Sequence, residues 1–432
     1  MHRRRREAEG VGDRDGPMNR ALPPPHRGTT AALQAVYPFV AEPGLGAGGA
    51  YIGQDLLGGA FAYDPWELYR AGRVTSPNAM VIGQIGRGKS ALVKSYLWRE
   101  LVFGRQAWVV DPKGEYAVLA EHCGVPAIRL EPGGRVRLNP IDPPTGDPAD
   151  AQRRQGELLA SLAAASLGRP LLPGERAAAD VALLAAGRTG PATIPTVVHA
   201  LLEPDAPSAA SLHTTVARLA DEGRDVALEL RRLADGDLRG MFDGQTTGGI
   251  DLTAPVVVLD LSAVYSSSAL GILMTCATAW LHAALRSGDA VRRIVVVDEA
   301  WAVLSDLAMA RWLRASAKLS RAFGVATMVV VHRLSDLTAA GDQGSEQVRL
   351  ARGLLADVET RVVYGQPPSE VEGARDLLGL SEAEADLLPR LPRGVALWKV
   401  GLRTFLVEHR LGRAERAFVD TDARMRTDAG GT

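Results

Sequence analysis

The stretch MVIGQIGRGKSALVKSYLWRE at residues 80–100 constrains the fold more than any other part of the sequence. Within it, Gly83, Gly88, Lys89 and Ser90 fit the phosphate-loop pattern G-x-x-x-x-G-K-[ST]. Glycines let a backbone curl around an anion, and the helix that follows directs its positive dipole end to the same point. Apolar residues follow strand spacing before the loop and helical spacing after it. This order of strand, loop and helix favours a phosphate-binding site over an ordinary glycine turn.

We therefore expect this P-loop to bind ATP together with Mg²⁺. The Lys89 ammonium would contact the β and γ phosphates, and the Ser90 hydroxyl would be a ligand of Mg²⁺. The residues predicted to bind the nucleotide are Gly83, Gln84, Ile85, Gly86, Arg87, Gly88, Lys89, Ser90 and Ala91.

A second acidic motif follows the apolar run Ile294 to Val297, which is typical of a strand buried on both faces. The strand ends in Asp298 and Glu299, and the carboxyl end of a strand is where ligands gather in open α/β sheets. Asp298 would hold Mg²⁺ and Glu299 would activate the attacking water. Without the P-loop, we would interpret the same pair as a cap of the next helix.

Two further strand ends carry polar residues. His332 follows the run Val325 to Val331, where it would sense the γ-phosphate or be a hydrogen-bonded structural histidine. Asp111 and Lys113 follow a strand at Gln106 to Val110. For this pair, a nucleotide site and a simple Pro-Gly turn are equally plausible.

The composition is that of an ordinary globular protein, with 46 % hydrophobic and 23 % charged residues among 432 and a net charge of -1. Such a charge favours neither nucleic acid nor acidic membranes globally. Cys123 and Cys276 stand in no metal-ligand spacing, and a reducing compartment fits. No apolar run has the length of a membrane span, so we expect a cytoplasmic protein.

Patterns along the chain predict an α/β fold with a mainly parallel central sheet flanked by helices. Between the two halves of the site, an Ala, Leu and Arg-rich segment without strand patterns predicts an all-α insertion. A β-hairpin is expected at Val395 to Val400 and Thr404 to Glu408. The predicted division is a disordered tail at 1–36, an ATPase core at 37–146 and 241–412, the insertion at 147–240 and a polar tail at 413–432.

Taken together, the segments IGQIGRGKSALVK, VVDPKGEY, RLNPID, MFDGQTTGGIDLTAPVVVLDLSAV, IVVVDEAWAVL and VVVHRLSDL resemble conjugal-transfer ATPases of type IV secretion. The likeness is greatest to the short actinobacterial forms, within the HerA/FtsK group, and runs from about Tyr37 to Leu411. It implies a RecA-like core, ATP hydrolysis with Mg²⁺, assembly as a homo-hexamer, and partners in a secretion machine at the membrane. The transmembrane segments typical of membrane-bound coupling ATPases are missing, which favours a peripheral position on the inner face of the membrane.

The chain departs from this family at His332, where the family usually has glutamine. Two other functions therefore remain open. One is a soluble HerA/FtsK-like DNA translocase, for which clustered arginines are the only sequence support. The other is a nucleotide-gated scaffold with little turnover. The arginine that a neighbouring subunit of the hexamer would supply is unassigned among Arg314, Arg321, Arg361 and Arg375.

Overall fold

A single large sheet organises the protein in the computed structural model. The structure describes residues 44–46, 48–142, 148–236, 238–265, 270–284, 291–304, 324–332, 349, 353 and 357–419. The sequence predictions for the tail at 1–36 and for Arg314 and Arg321 lie outside these residues.

The secondary structure alternates between strands and helices on either side of a purely helical stretch. The strands are β1 Ala50–Asp55, β2 Ala60–Tyr63, β3 Ala79–Ile82, β4 Gln106–Asp111, β5 Ile128–Arg129, β6 Val256–Asp260, β7 Arg293–Val297, β8 Val325–Val331, β9 Thr360–Tyr364, β10 Val395–Val400 and β11 Arg403–His409. The α-helices are α1 Pro65–Arg70, α2 Lys89–Glu100, α3 Ala117–His122, α4 Pro148–Leu167, α5 Pro173–Gly187, α6 Ile194–Leu202, α7 Ala206–Ser211, α8 Val216–Asp235, α9 Leu270–Ala284, α10 Trp301–Leu304, α11 Val371–Leu378, α12 Glu382–Leu387 and α13 Arg416–Val419.

The strands form one sheet in the order β2-β1-β11-β10-β9-β3-β8-β7-β4-β6-β5. From β9 to β5 all neighbours are parallel, whereas β2, β1, β11 and β10 extend the sheet in antiparallel pairs. The predicted mainly parallel sheet and C-terminal hairpin are therefore confirmed. The hairpin also joins the sheet through β9 and pairs with the N-terminal strand β1.

Side chains of the parallel strands alternate between two apolar cores, one on each face of the sheet. Met80 and Ile82 face the core that includes the helices between β5 and β6, whereas Val81 faces the core that includes α2. Leu92, Val93, Tyr96 and Leu97 of α2 are buried there. Each such side chain stabilises the fold by about 1.5–3 kcal/mol. This packing fixes α2 and the loop before it against β3.

Two stretches were not anticipated from the sequence. Residues 61–69 include strand β2 and helix α1, with Phe61, Tyr63 and Trp66 buried and Tyr69 exposed. The end of the chain, predicted to be polar from residue 413, is described to residue 419. There α13 buries Phe418, whose ring lies 5.2 Å from that of Trp98 on α2.

Residues 148–235 contain the helices α4 to α8. They share one continuous apolar core with the sheet face that carries Met80, Trp108 and Val297. Among the helices that the structure describes, none combines the length and hydrophobicity needed to cross a lipid bilayer.

Candidate nucleotide-binding site

Three neighbouring strands bring the predicted site residues to one edge of the sheet. β8 pairs in parallel with β3 on one side and with β7 on the other, with Val330 opposite Val81 and Met328 opposite Val296. The P-loop, His332 and the acid pair follow β3, β8 and β7 respectively, so all three meet at the carboxyl edge. β4 pairs with β7 on its far side and adds Lys113.

The P-loop backbone adopts conformations that require glycine. Gly88 precedes α2 with a φ of 111° and offers no side-chain cap, which leaves the first amides of the helix available to a ligand. At Gly83, a Cβ would lie 2.5 Å from the Cβ of Tyr364 on β9. Arg87 points away from the phosphate side and donates to the Leu391 carbonyl, and its own carbonyl accepts from the Gly394 N–H.

Lys89 is buried and bonded to its own loop. Its ammonium donates to the carbonyls of Gly83 and Gln84, the latter at 3.0 Å, and lies 3.0 Å from Nδ1 of His332. Burial lowers the pKa of Lys89 to about 8, although the charges of Asp298 and Glu299 act in the opposite direction. A cation held in this way is partly desolvated and would gain from a phosphate.

Asp298 is a buried acid at the point where Mg²⁺ is expected. Its carboxylate accepts from the Glu299 N–H at 2.8 Å. Burial, followed by the charge of Glu299, raises its pKa to about 7. A divalent cation would stabilise the ionised form of this acid.

Glu299 is held in an unusual backbone conformation, with a φ of 51°. Apart from glycine, it shares a positive φ only with His213 among the residues described here. One carboxylate oxygen contacts both Lys113 and His332, and the other accepts from Nε1 of Trp301 at 2.5 Å. Burial alone would raise the pKa of Glu299, but the His332 and Lys113 contacts lower it to about 2. Strain of this kind is concentrated at functional sites.

The partners of His332 assign its tautomer. Nδ1 faces the Lys89 ammonium, which can only donate, so Nδ1 must be the acceptor. In the neutral ring Nε2 then carries the hydrogen and donates to Glu299, and the Lys113 ammonium, which lies 3.0 Å from Nε2, donates to the same carboxylate oxygen instead. A glutamine would offer the same polarity, with its carbonyl toward Lys89 and its amide toward Glu299. Histidine can thus take the place of the glutamine expected from the resemblance without reversing a hydrogen bond.

Lys113 reaches the site from a rigid turn after β4. The buried Asp111 carboxylate accepts from the N–H groups of Lys113 at 3.2 Å and Tyr116 at 2.8 Å. Gly114 has a φ of 69°, as the turn requires. The Lys113 ammonium contacts Glu299 and lies 3.0 Å from Nε2 of His332. Of the two interpretations left open for this motif, a place at the nucleotide site agrees with these contacts.

Part of this set borders a cleft of about 560 Å³. Its lining residues are Ile85, Gly86, Gly88, Lys89, Ser90, Ala91, Lys113, Glu115, His332, Arg393, Gly394, His409, Leu411, Arg416 and Val419. Of the predicted site residues, Gly83, Gln84, Arg87, Asp298 and Glu299 are not among them.

One wall of the cleft was not predicted from the sequence. It comes from the C-terminal hairpin and α13, which supply Arg393, His409, Leu411, Arg416 and Val419. Nε2 of His409 lies 2.8 Å from the Ser95 hydroxyl, and burial lowers its pKa to about 4. The histidine is therefore neutral at physiological pH. Of the four predicted arginine candidates, Arg361 donates to backbone carbonyls and Arg375 pairs with Asp376.

The donor atoms fit magnesium. In the part of the chain that the structure describes, no three His, Cys, Asp or Glu side chains form a metal cage. Mg²⁺ does not need one, because it commonly takes one or two protein oxygens together with phosphate oxygens and water. The Ser90 hydroxyl and the Asp298 carboxylate are oxygen donors of this kind.

Comparisons with known proteins bear on the fold. No protein-family model matches the sequence, and neither does any curated protein. The solved structure of VirB4 of Thermoanaerobacter pseudethanolicus is similar, with 23 % identity and a TM-score of 0.70 over 86 % of this chain and 99 % of that one. Plasmid coupling protein TrwB in complex with ADP and Mg²⁺ is similar at 16 % identity, with a TM-score of 0.55 over 85 % of this chain and 96 % of that one. The chain therefore has the RecA-like P-loop ATPase fold of VirB4 and the conjugative coupling protein TrwB.

Proposed function

We propose that this chain is an ATP-binding and ATP-hydrolysing motor of a conjugative transfer or type IV secretion-like system. The observation that supports it best is the convergence of a P-loop, an acid pair and a polar strand end at the carboxyl ends of neighbouring strands, beside a cleft lined by Lys89, Ser90 and His332. Lys89 and Ser90 hold phosphates and Mg²⁺, Asp298 holds Mg²⁺, and Glu299 activates water. His332 links the phosphate-binding lysine to Glu299.

The surroundings of each group suit one role in ATP hydrolysis. Lys89 and the free amides at the start of α2 bind the phosphate oxygens and neutralise charge as the γ-phosphoryl group leaves. Glu299 orients a water for in-line attack and takes up its proton. Bound Mg²⁺ would supply further neutralisation at the β and γ oxygens.

The C-terminal wall of the cleft is our candidate for the base and ribose. Leu411 and Val419 offer apolar surface, the neutral His409 offers a ring, and Arg393 and Arg416 offer donors. Apolar surface combined with a few polar groups is typical of such a subsite.

Assembly and partners extend the same proposal. The similar TrwB structures include complexes with ADP and Mg²⁺ and with a non-hydrolysable ATP analogue, which supports the same ligands here. We propose a homo-hexamer working with a secretion machine at the inner face of the membrane. A soluble DNA translocase is the alternative within this fold, and hydrolysis stimulated by DNA would favour it.

The test combines two variants with the wild-type chain. Lys89→Ala removes the phosphate charge and should abolish both tight ATP binding and turnover. Glu299→Gln should bind ATP but leave it uncleaved. Hydrolysis at the wild-type rate in both variants would refute the assignment. Rates should be measured over a range of protein concentrations, with and without DNA, because a hexamer predicts a rate that depends on concentration.

One observation favours a second function, a nucleotide-gated scaffold with slow turnover. The Glu299 carboxylate is bonded by Lys113, His332 and Trp301. If these contacts persisted with ATP bound, the chain would bind ATP without cleaving it. Single-turnover cleavage compared with ATP affinity separates the two functions, since a scaffold would combine tight binding with negligible cleavage.

A further inference from the structure

We propose that Lys113 is a second phosphate-binding lysine, which moves from Glu299 to the γ-phosphate of a bound nucleoside triphosphate and so frees Glu299 for water. This inference rests on the proposed ATPase function. It gives Lys113 a role in the reaction. It also means that Glu299 can bind the attacking water only when a γ-phosphate is present.

The first support is the placement of Lys113. The turn after β4 is fixed by the buried Asp111, and a Cβ at Gly114 would lie 3.1 Å from the Ser262 hydroxyl, so the turn has little freedom. The Lys113 side chain leaves this rigid base and lines the same cleft as Gly88, Lys89 and Ser90. A cation on a flexible stem beside a P-loop is well placed to meet a phosphate.

The second support is the occupancy of the Glu299 carboxylate. A carboxylate oxygen accepts about two hydrogen bonds, and the oxygen nearest His332 already has Lys113 and His332 as partners. The other oxygen accepts from Trp301. The side chain is only 2 % exposed, so a water cannot approach from bulk solvent. The oxygen on the side of Lys113 and His332, both of which line the cleft, can therefore bind the attacking water only after one of these two partners leaves.

Lys113 is the partner best able to leave. Trp301 lies two residues from Glu299 on the same turn, and His332 is held on its other side by Lys89. The Lys113 side chain is 23 % exposed and already lies near a second surface, with its ammonium 5.8 Å from the centre of the Tyr265 ring. A γ-phosphate carries more negative charge than the carboxylate and therefore competes for the ammonium.

The reaction itself is balanced without Lys113. Water oxygen bonds to the γ-phosphorus, the bond from phosphorus to the bridging oxygen breaks, and ADP leaves with that electron pair. The proton of the water passes to Glu299. Lys113 takes no part in bond making or breaking, and its ammonium only moves from Glu299 to the γ-phosphate. ADP lacks the γ-phosphate, so it leaves the Lys113–Glu299 pair intact.

The test uses Lys113→Met, which keeps the stem and removes the charge. We expect kcat to fall about 100-fold, as for the loss of one transition-state donor. The Kd for a non-hydrolysable ATP analogue should rise about tenfold, the size of one charge-assisted contact. The Kd for ADP should change less than about twofold, which also shows that the site is folded. Lys113→Arg should recover part of the lost kcat.

A matched control is Lys399→Met, because Lys399 bonds the Gly379 carbonyl and Glu384 away from the cleft. It should leave all three quantities near wild type. If binding of ADP and of the analogue were weakened equally, Lys113 would be a structural residue, and a higher kcat would mean that Lys113 inhibits turnover. Either result, or an unchanged kcat, would overturn this inference but not the proposed function, provided that the wild-type protein hydrolyses ATP. A wild type that binds neither nucleotide would overturn the proposed function as well.

Discussion

Two clusters of charged and polar side chains lie at opposite ends of the strands, and they are built differently. At the carboxyl ends of the parallel strands are Lys89, Lys113, Glu299 and His332, which we call the site cluster. At the opposite ends is the arginine cluster, formed by Asp64, Glu100 and Arg105. The Arg105 guanidinium bonds both carboxylates and lies 4.5 Å from the centre of the Trp66 ring.

The charges of the arginine cluster pair with one another, although Oε1 of Glu100 has no hydrogen-bond partner among the residues that the structure describes. Asp64 also caps α1 by accepting from the N–H groups of Trp66 and Glu67, so the cluster ties α1, α2 and β4 together. Burial, its largest influence, raises the pKa of Glu100 to about 7 in spite of Arg105. None of the three residues lines the described cleft.

In the site cluster, by contrast, Lys89, Lys113 and His332 line an open cleft, and Glu299, which Lys113 and His332 contact, has a strained backbone. Its cations share acceptors that an incoming phosphate could replace. The difference teaches that burial of charge alone does not identify a functional site. A functional site is better identified by charged groups that have access to a cleft and whose partners a ligand can replace.

Lys89→Met should give the largest contrast between the clusters. Turnover should fall by at least about 1000-fold, because the phosphate loses its lysine. Since burial lowers the Lys89 pKa from 10.5 to about 8, removing the ammonium should raise the unfolding free energy at pH 7, by up to about 3 kcal/mol. ATPase assays and urea denaturation measure the two effects. Large destabilisation would mean that Lys89 is structural, like Arg105.

Arg105→Met should produce the reverse pattern. Leaving two buried carboxylates unpaired should lower the unfolding free energy by about 3–5 kcal/mol. The kcat of the folded protein should stay within about twofold of wild type, because the cluster is remote from the cleft. Arg129→Met is the control: its pair with Glu131 is exposed, and its loss should cost less than about 1 kcal/mol. A strong loss of kcat in folded Arg105→Met would break the comparison.

His332→Gln and His332→Ala sharpen the account of the site cluster. Glutamine keeps an acceptor toward Lys89 and a donor toward Glu299, so kcat should stay within about tenfold of wild type. Alanine removes both and should lower kcat about 100-fold. His199→Gln, on the exposed side of α6, is the control. Equal losses in both His332 variants would contradict the assigned hydrogen-bond polarity.

The smallest effect concerns pH. Free Lys89 has a pKa of about 8, and a bound polyphosphate raises it, so binding is linked to protonation. The Kd for ADP should be nearly constant below about pH 7.5 and rise by up to tenfold for each unit above pH 8. Titrations between pH 6.5 and 9 measure this directly. The dependence should disappear in Lys89→Met, and its persistence there would assign it to another group.

Much of the fold was predictable because it depends on local pattern. Continuous apolar runs such as Ala254 to Asp260 identify strands buried on both faces, and polar residues at strand ends identify the edge where ligands bind. Strand β2 was missed, since Ala60–Tyr63 is too short to show alternation. Its place beside β1, and the pairing of β1 with β11, depend on contacts between distant parts of the chain.

The residue types of the candidate site could be predicted from the sequence, but the contacts between them could not. A P-loop and an acid pair have recognisable spacing, but nothing in the sequence pairs Lys113 with Glu299. The positive φ of Glu299 could not be anticipated, because glutamate has no preference for that region. His409 and Arg416 carry no motif and reach the cleft only because β11 ends at the same edge as β3.

The order of the strands also limits how copies of this protein can aggregate. The outermost strands of the described sheet are β2, with four residues, and β5, with two. The pairing of β2 with β1 is further interrupted by a register shift between Tyr51 and Gly53. Short, irregular borders give a foreign strand few backbone groups to pair with. A sheet this wide thus avoids the edge-to-edge polymerisation that a long, flat border would promote in a crowded cell.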